Sequence, residues 1–297
     1  MRTPLRAVLA SRRLLISDGG NGTELQKIGL EPGGCGESWN VLHPERVRTV
    51  HASYLNAGSE IITTNSFNGN AFALGRWDMP GRVREFAVAA ARIARGVAGD
   101  NRYVMGSVGP CGGFLEPLGD ITVGDLEASL REQIGGLLEG GVDAINFETY
   151  TALDELAVCL RVARQLNAPV VIVSLAYDCL SVGFRTMMGV SPAQAAAFAV
   201  EQGADAVGAN CGTSVPPQQF HLLIREYRAA TTLPLIAQPN GGTPRLEDDV
   251  IVYPTSPDEM ADSLVKLAAD AQIVGGCCGC GPEHIAAFVR KQQAASG

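Results

Sequence analysis

The 297-residue sequence predicts an α/β fold, a single-domain (β/α)₈ TIM barrel over residues 1–297. Three observations predict it. Eight short apolar segments recur along the chain, helical patterns fill the intervals, and polar or sulfur residues gather at the C-terminal ends of the apolar segments. That end is where barrels of this kind build their active sites.

The segments read as strands are 14–18 (LLISD), 60–64 (EIITT), 103–109 (YVMGSVG), 143–148 (DAINFE), 169–175 (PVVIVSL), 205–210 (DAVGAN), 233–238 (LPLIAQ) and 272–276 (QIVGG). Most are rich in Val and Ile and apolar throughout, as parallel strands buried on both faces must be. Among the helices, ALDELAVCLRVARQLN carries apolar residues at i, i+3, i+4 spacing, and Thr151 with Asp154 resembles a capping box ahead of it. Ser191-Pro192 and Ser256-Pro257 place a cap residue before a proline at the first helical turn. The opening MRTPLRAVLASRRLLISDGG reads as helix then strand without an export signal, because Arg12 and Arg13 interrupt its apolar run. An open doubly wound sheet is the alternative architecture; it needs fewer strands and a switch point.

Composition narrows the function. A hydrophobic content of 46% with only 6% aromatic residues suits Ala-rich helices around Val-rich strands. A net charge of -8 supplies no basic stripe for phosphates, which argues against nucleic acid as a partner. No apolar run approaches the roughly 18 residues of a membrane span. Eight cysteines are too few for a disulfide scaffold of this length, and two are adjacent, which favours a reducing, cytoplasmic setting.

Asp18, Asn65, Gly109, Glu148, Asn210-Cys211, Gln238 and Cys277-Cys278 all close or follow predicted strands. Cys277 and Cys278 lie in GGCCGCG, whose glycines let the backbone aim neighbouring side chains at one point. Cys211 arrives from the sixth strand. Three thiolates meeting at a barrel mouth suit a soft divalent metal, Zn²⁺ first, with one coordination position left open for a substrate. The plainer alternative is three small buried residues beside tight turns. A metal deprotonates a coordinated thiol outright, and sulfur-only ligation keeps it electron-rich, so alkyl transfer to sulfur fits such a site better than hydrolysis. None of the four histidines closes a predicted strand.

DGGNGTELQ (18–26), TNSFNGN (64–70), GSVGP (106–110), FET (147–149), ANCG (209–212) and GGCCG (275–279) occur in one order over nearly the whole chain and resemble the homocysteine S-methyltransferase family. The resemblance implies a zinc-dependent barrel enzyme moving a methyl group from a small donor, such as betaine or S-methylmethionine, to the thiol of homocysteine, forming methionine. It implies metal ligation by Cys211, Cys277 and Cys278. It also implies recognition of the homocysteine ammonium by Asp18 and Glu148, and of its carboxylate by the backbone from Gly109 to Gly112. Gly19, Asn65 and Asn210 complete the expected substrate site. A corrinoid protein is an alternative methyl partner and a folate an alternative donor; a homo-oligomer is left open, as is a non-catalytic zinc- or thiol-binding barrel.

The chain also departs from the family pattern. Cys111 in GPCGG and Cys280 in CCGCGPEH replace commoner residues close to the site, and Asn68 stands where the animal betaine enzyme has a tyrosine. Trp39, Phe67, Tyr150 and Tyr177 are the aromatic residues from which a cage for a quaternary ammonium would have to be drawn. Cys35, Cys159 and Cys179 have no ligand-like context, and Cys159 fits a packed helix face.

Overall fold

The computed structural model describes residues 2–212, 214–247 and 250–296. Every predicted barrel strand is present: β1 (Leu15–Ile16), β2 (Ile61–Thr63), β3 (Tyr103–Val108), β4 (Ala144–Tyr150) and β5 (Val171–Leu175) in the first part of the chain. After β5 comes a hairpin of β6 (Asp178–Leu180) and β7 (Gly183–Arg185). The barrel resumes with β8 (Ala206–Cys211) and β9 (Leu235–Pro239), is interrupted by a second hairpin of β10 (Arg245–Glu247) and β11 (Val250–Val252), and ends with β12 (Ile273–Val274). The eight barrel strands pair in parallel in the order β1, β12, β9, β8, β5, β4, β3, β2. A bridge from Ser17 to Ile61 and the Glu60 N–H on the Ile16 carbonyl (2.7 Å) close the ring. This excludes the open sheet.

Side chains alternate in and out along a strand, so residues two apart on neighbouring strands form layers inside the barrel. The lower layer is apolar: Leu15, Ile61, Met105, Ala144, Ile172, Ala206, Ile236 and Ile273 form one cluster with Leu5, Val8 and Leu9 of the N-terminal helix Leu5–Ala10. Two residues further along, the interior turns polar, with Ser17, Thr63, Ser107, Asn146, Ser174 and Gln238 all buried. Glycine replaces a side chain where backbones crowd: a Cβ on Gly208 would lie 1.9 Å from the Ile236 carbonyl oxygen. The functional end begins one layer above.

Helix caps follow the sequence with one correction. Ser191 and Ser256 each make a full capping box, with Gln194 and Glu259. Thr151 and Asp154 do not, because the helix starts at Leu153 with Ala152 as its uncapped N-cap. Thr151 instead gives its carbonyl to the Thr186 hydroxyl (2.7 Å), tying this loop to the β6–β7 hairpin region. No helix among the described residues is long and apolar enough to cross a membrane.

His51, on the helix Pro44–Asn56, is fully buried and both ring nitrogens lack a hydrogen-bond partner. Burial, aided by Arg48, pushes its pKa down to about 4 from an ordinary 6.5. The unfolded chain therefore takes up a proton near pH 6.5 that the folded chain refuses until about pH 4. Stability is unaffected above that window and falls as the pH drops through it, by about 2–3 kcal/mol at pH 4.5. Urea unfolding of metal-free His51→Leu at pH 7.5 and 4.5 is expected to lack this share of the acid loss. An acid loss equal to that of the parent protein refutes the assignment.

Candidate metal and thiol site

Three sulfur atoms converge at the barrel mouth. Cys211, Cys277 and Cys278 have Sγ atoms all within 4.8 Å of one another, and the Cys277 and Cys278 sulfurs are 4.0 Å apart. Tetrahedral ligation with metal–sulfur bonds of about 2.3 Å would place sulfurs about 3.8 Å apart, so the set fits a soft divalent metal with little movement. Asn240 adds to the fit. Its Nδ2 rests 3.5 Å from Cys211 Sγ, and its buried Oδ1 has no protein partner. Hydrogen bonding among the three sulfurs holds the Cys211 thiol well below the usual range and raises the other two. Ligation would require those remaining protons to leave.

The backbone at the site is held in unusual conformations. Cys211 (φ 57°) and Thr149 (φ 67°) are left-handed without being glycine, which costs about 1–3 kcal/mol each and persists only where neighbours enforce it. Asn210 is the enforcer. Its Oδ1 accepts from the Thr149 N–H (2.8 Å) and the Ser174 hydroxyl (2.7 Å), while its Nδ2 donates to Thr149 Oγ1 (2.7 Å). The register of β4 shifts between Phe147 and Tyr150, a bulge that sets Glu148 and Thr149 into the mouth. The cysteine turn is fastened from three sides: the Cys277 N–H donates to Pro239 O (2.8 Å), the Gly241 N–H to Cys278 O (2.8 Å), and Tyr54 Oη to Cys280 O (2.8 Å).

The cavity over this site has a volume of about 370 Å³ and includes all three cysteines, Glu148, Gly19 and Asn65 in its lining. Burial drives the Glu148 carboxyl up to about 7; a hydrogen bond from Ser107 Oγ opposes the shift, while the charges of Asp18 and Cys211 add to it. Asp18 lies outside the lining. It is fully buried and its oxygens accept from the Thr63 N–H (2.7 Å) and hydroxyl (2.8 Å), so its direct role is to tie β1 to β2 beneath the cavity. Burial lifts its pKa to about 6 against those bonds.

Other expected residues take supporting positions. Asn65 donates to Gly36 O (2.7 Å) and Asn40 Oδ1 (3.1 Å), shaping the loop that roofs the cavity. Asn210 acts on Thr149, as described, and is absent from the lining. Gly109 is also absent: its N–H donates to Phe67 O (3.0 Å) and its carbonyl accepts from Tyr150 Oη (3.0 Å). The Cys111 N–H is likewise committed, to Glu155 Oε1 (2.7 Å), so two amides of the 109–112 loop are closed to a substrate carboxylate. Cys280 is buried with its sulfur 3.6 Å from Pro239 O, and Cys111 is buried with its thiol on Gly113 O (3.5 Å); neither joins the metal set. Cys159 is buried on its helix, its thiol 3.3 Å from Tyr150 Oη.

The aromatic cage is not assembled. Tyr150 and Tyr177 are buried with hydroxyls on Gly109 O and Tyr227, Trp39 meets His43 edge-on and lies under Arg46, and of these four Phe67 alone lines the cavity. Conversely, Glu37 lines the cavity unannounced by its GESWN context, accepting from the Asn68 N–H (2.7 Å) and facing the Cys35 thiol (3.8 Å). Asn21, Thr63, Ser107 and Gln238 also contribute to the wall.

Fold and site together define a closed parallel barrel with a cluster of three cysteine sulfurs and a half-buried carboxylate at its mouth. The chain belongs to the homocysteine S-methyltransferase family, whose model matches residues 15–291. It is 34% identical over 294 residues to a methionine synthase of Mycobacterium tuberculosis and 33% identical over 305 residues to one of Mycobacterium leprae. These matches cover 93% and 95% of this chain but 24% of each relative, so the chain spans about a quarter of their length. Among solved structures, the metallated form of the homocysteine methyltransferase MmuM from Escherichia coli superposes with a TM-score of 0.79 at 23% identity, covering 97% of this chain and 100% of that one. Its apo form gives 0.71 at 24% identity.

Proposed function

We propose that this chain transfers a methyl group from a small sulfonium donor to the thiol of homocysteine, forming methionine, with Zn²⁺ held by Cys211, Cys277 and Cys278. One observation carries the reading: the cavity is lined by the three sulfurs and by Glu37 and Glu148, and among the described residues no Lys, Arg or His lines it. When bound, the metal keeps the acceptor sulfur as a thiolate near neutral pH. Glu148 receives the homocysteine ammonium and holds the sulfur in register for attack. The new S–CH₃ bond takes the thiolate's electron pair, and the electrons of the broken bond return to the donor sulfur. Two opposite charges thus become two neutral sulfides.

An anionic donor such as a folate polyglutamate meets only repulsion in this lining. A quaternary ammonium meets one aromatic face where a cage needs several. A sulfonium is drawn by the negative field of Glu37 and Glu148.

The test is a donor panel with zinc-loaded protein and homocysteine, read as methionine by mass spectrometry. S-methylmethionine is expected to exceed betaine in kcat/KM by about tenfold or more, the worth of one desolvated cation–π contact. Methionine formed only from betaine or only from a methylfolate refutes the donor. A second reading, with the methyl group brought by a corrinoid protein, draws on exposed apolar side chains at the same face, among them Phe114, Leu118, Val182 and Leu246. Turnover with a methylated corrinoid carrier, and with none of the free donors, selects it.

A further inference from the structure

The segment that follows the β10–β11 hairpin is stitched to the cysteine turn. Gly241 bridges the two, donating its N–H to Cys278 O (2.8 Å) and accepting from the Thr255 N–H (3.0 Å). Tyr253, two residues before Thr255, lays its ring on the Cα of Gly279: a Cβ there would fall 2.1 Å from Tyr253 Cγ and 2.3 Å from its Cβ. Gly279 takes a left-handed φ of 76°, so the turn after Cys278 has both the backbone freedom and the bare surface that the ring requires. From this seat the phenol stands within electrostatic range of Cys278, Cys211 and Cys277.

We propose that Tyr253 is a positioning residue for the metal: its ring clamps the Cys278–Gly279 turn, and its O–H donates to the Cys278 sulfur once that sulfur is a ligand. The proposal rests on the reading of the three cysteines as a metal centre. Three thiolates around one divalent ion carry excess negative charge, and a fourth, from the substrate, adds to it. A single O–H donor aimed at one ligand sulfur draws off part of that charge and fixes where the sulfur's lone pairs point. Tyr253 comes from the loop after β9, so the donor belongs to none of the ligand-bearing strands or turns. The hairpin and the metal centre are thereby mechanically joined.

Tyr253→Phe keeps the ring on Gly279 and deletes only the hydroxyl. Zinc affinity, measured by competition with a chromogenic chelator, is expected to fall about tenfold, the lower end of what outer-shell partners contribute. In the cobalt-substituted protein the sulfur-to-metal charge-transfer band is expected to move to lower energy, since the Cys278 lone pair is no longer stabilised. Tyr253→Leu, which also removes the clamp, is expected to lose more affinity than Tyr253→Phe, while the melting temperature of the metal-free Phe variant stays at the parent value. Equal zinc affinity and an unmoved cobalt band in Tyr253→Phe overturn the proposal and leave the metal centre standing. A parent protein that binds no zinc or cobalt overturns the metal reading itself.

Discussion

Cys277→Ser is expected to bind no zinc after dialysis and to form no methionine. Its sulfur is one of three within 4.8 Å, and its N–H is fixed on Pro239 O. Losing one of three ligands should weaken metal binding by more than about 10²-fold, since outer-shell partners alone are worth up to that much. Cys280→Ser is the matched control. Cys280 is three residues away in sequence but buried with its sulfur toward Pro239 O, and the variant should keep about one zinc per chain by elemental analysis. Full activity in a metal-free Cys277→Ser preparation would end the metal reading. Loss of zinc in Cys280→Ser would show that the fourth sulfur, too, helps hold the metal.

Glu148→Gln carries the second largest expected effect. The carboxylate lines the cavity together with the three sulfurs, and it accepts from the Ser107 hydroxyl. An amide can still accept from Ser107 but offers a substrate ammonium no charge. A hydrogen bond between charged groups is worth up to about 3 kcal/mol, so kcat/KM for homocysteine should fall by about 10²-fold. The discriminating substrate is 4-mercaptobutanoate, the same thiol acid without its amine. Glu148→Gln should use it about as well as the parent protein does. An equal loss with both thiols would mean that Glu148 serves the fold or the metal rather than the ammonium.

The barrel strands were readable because burial on both faces leaves parallel strands no choice but continuous Val, Ile and Ala. Strands β6, β7, β10 and β11 were not, being three-residue hairpin arms at the mouth with exposed side chains such as Leu180, Leu246 and Ile251. The sulfur site was readable for a related reason: Cys211, Cys277 and Cys278 sit at strand ends, and barrel geometry alone brings strand ends together. Hydrogen bonding was not. Asp18 and Gly109 stand at the right strand ends, yet Thr63 occupies the first and Phe67 with Tyr150 the second. Which group reaches a given donor first depends on loops whose paths no local pattern records. The same holds for Glu37, Asn240 and Tyr253, which arrive from such loops.

A lining with two carboxylates and no cationic side chain also governs what happens after the methyl group has moved. On the proposed sulfonium reading, the spent donor has lost its sulfonium charge, and the field that drew it in holds it less strongly. The by-product is then expected to bind more weakly than the donor, read as an inhibition constant above the donor's KM. The pocket's charge would thus favour the loaded carrier over the empty one.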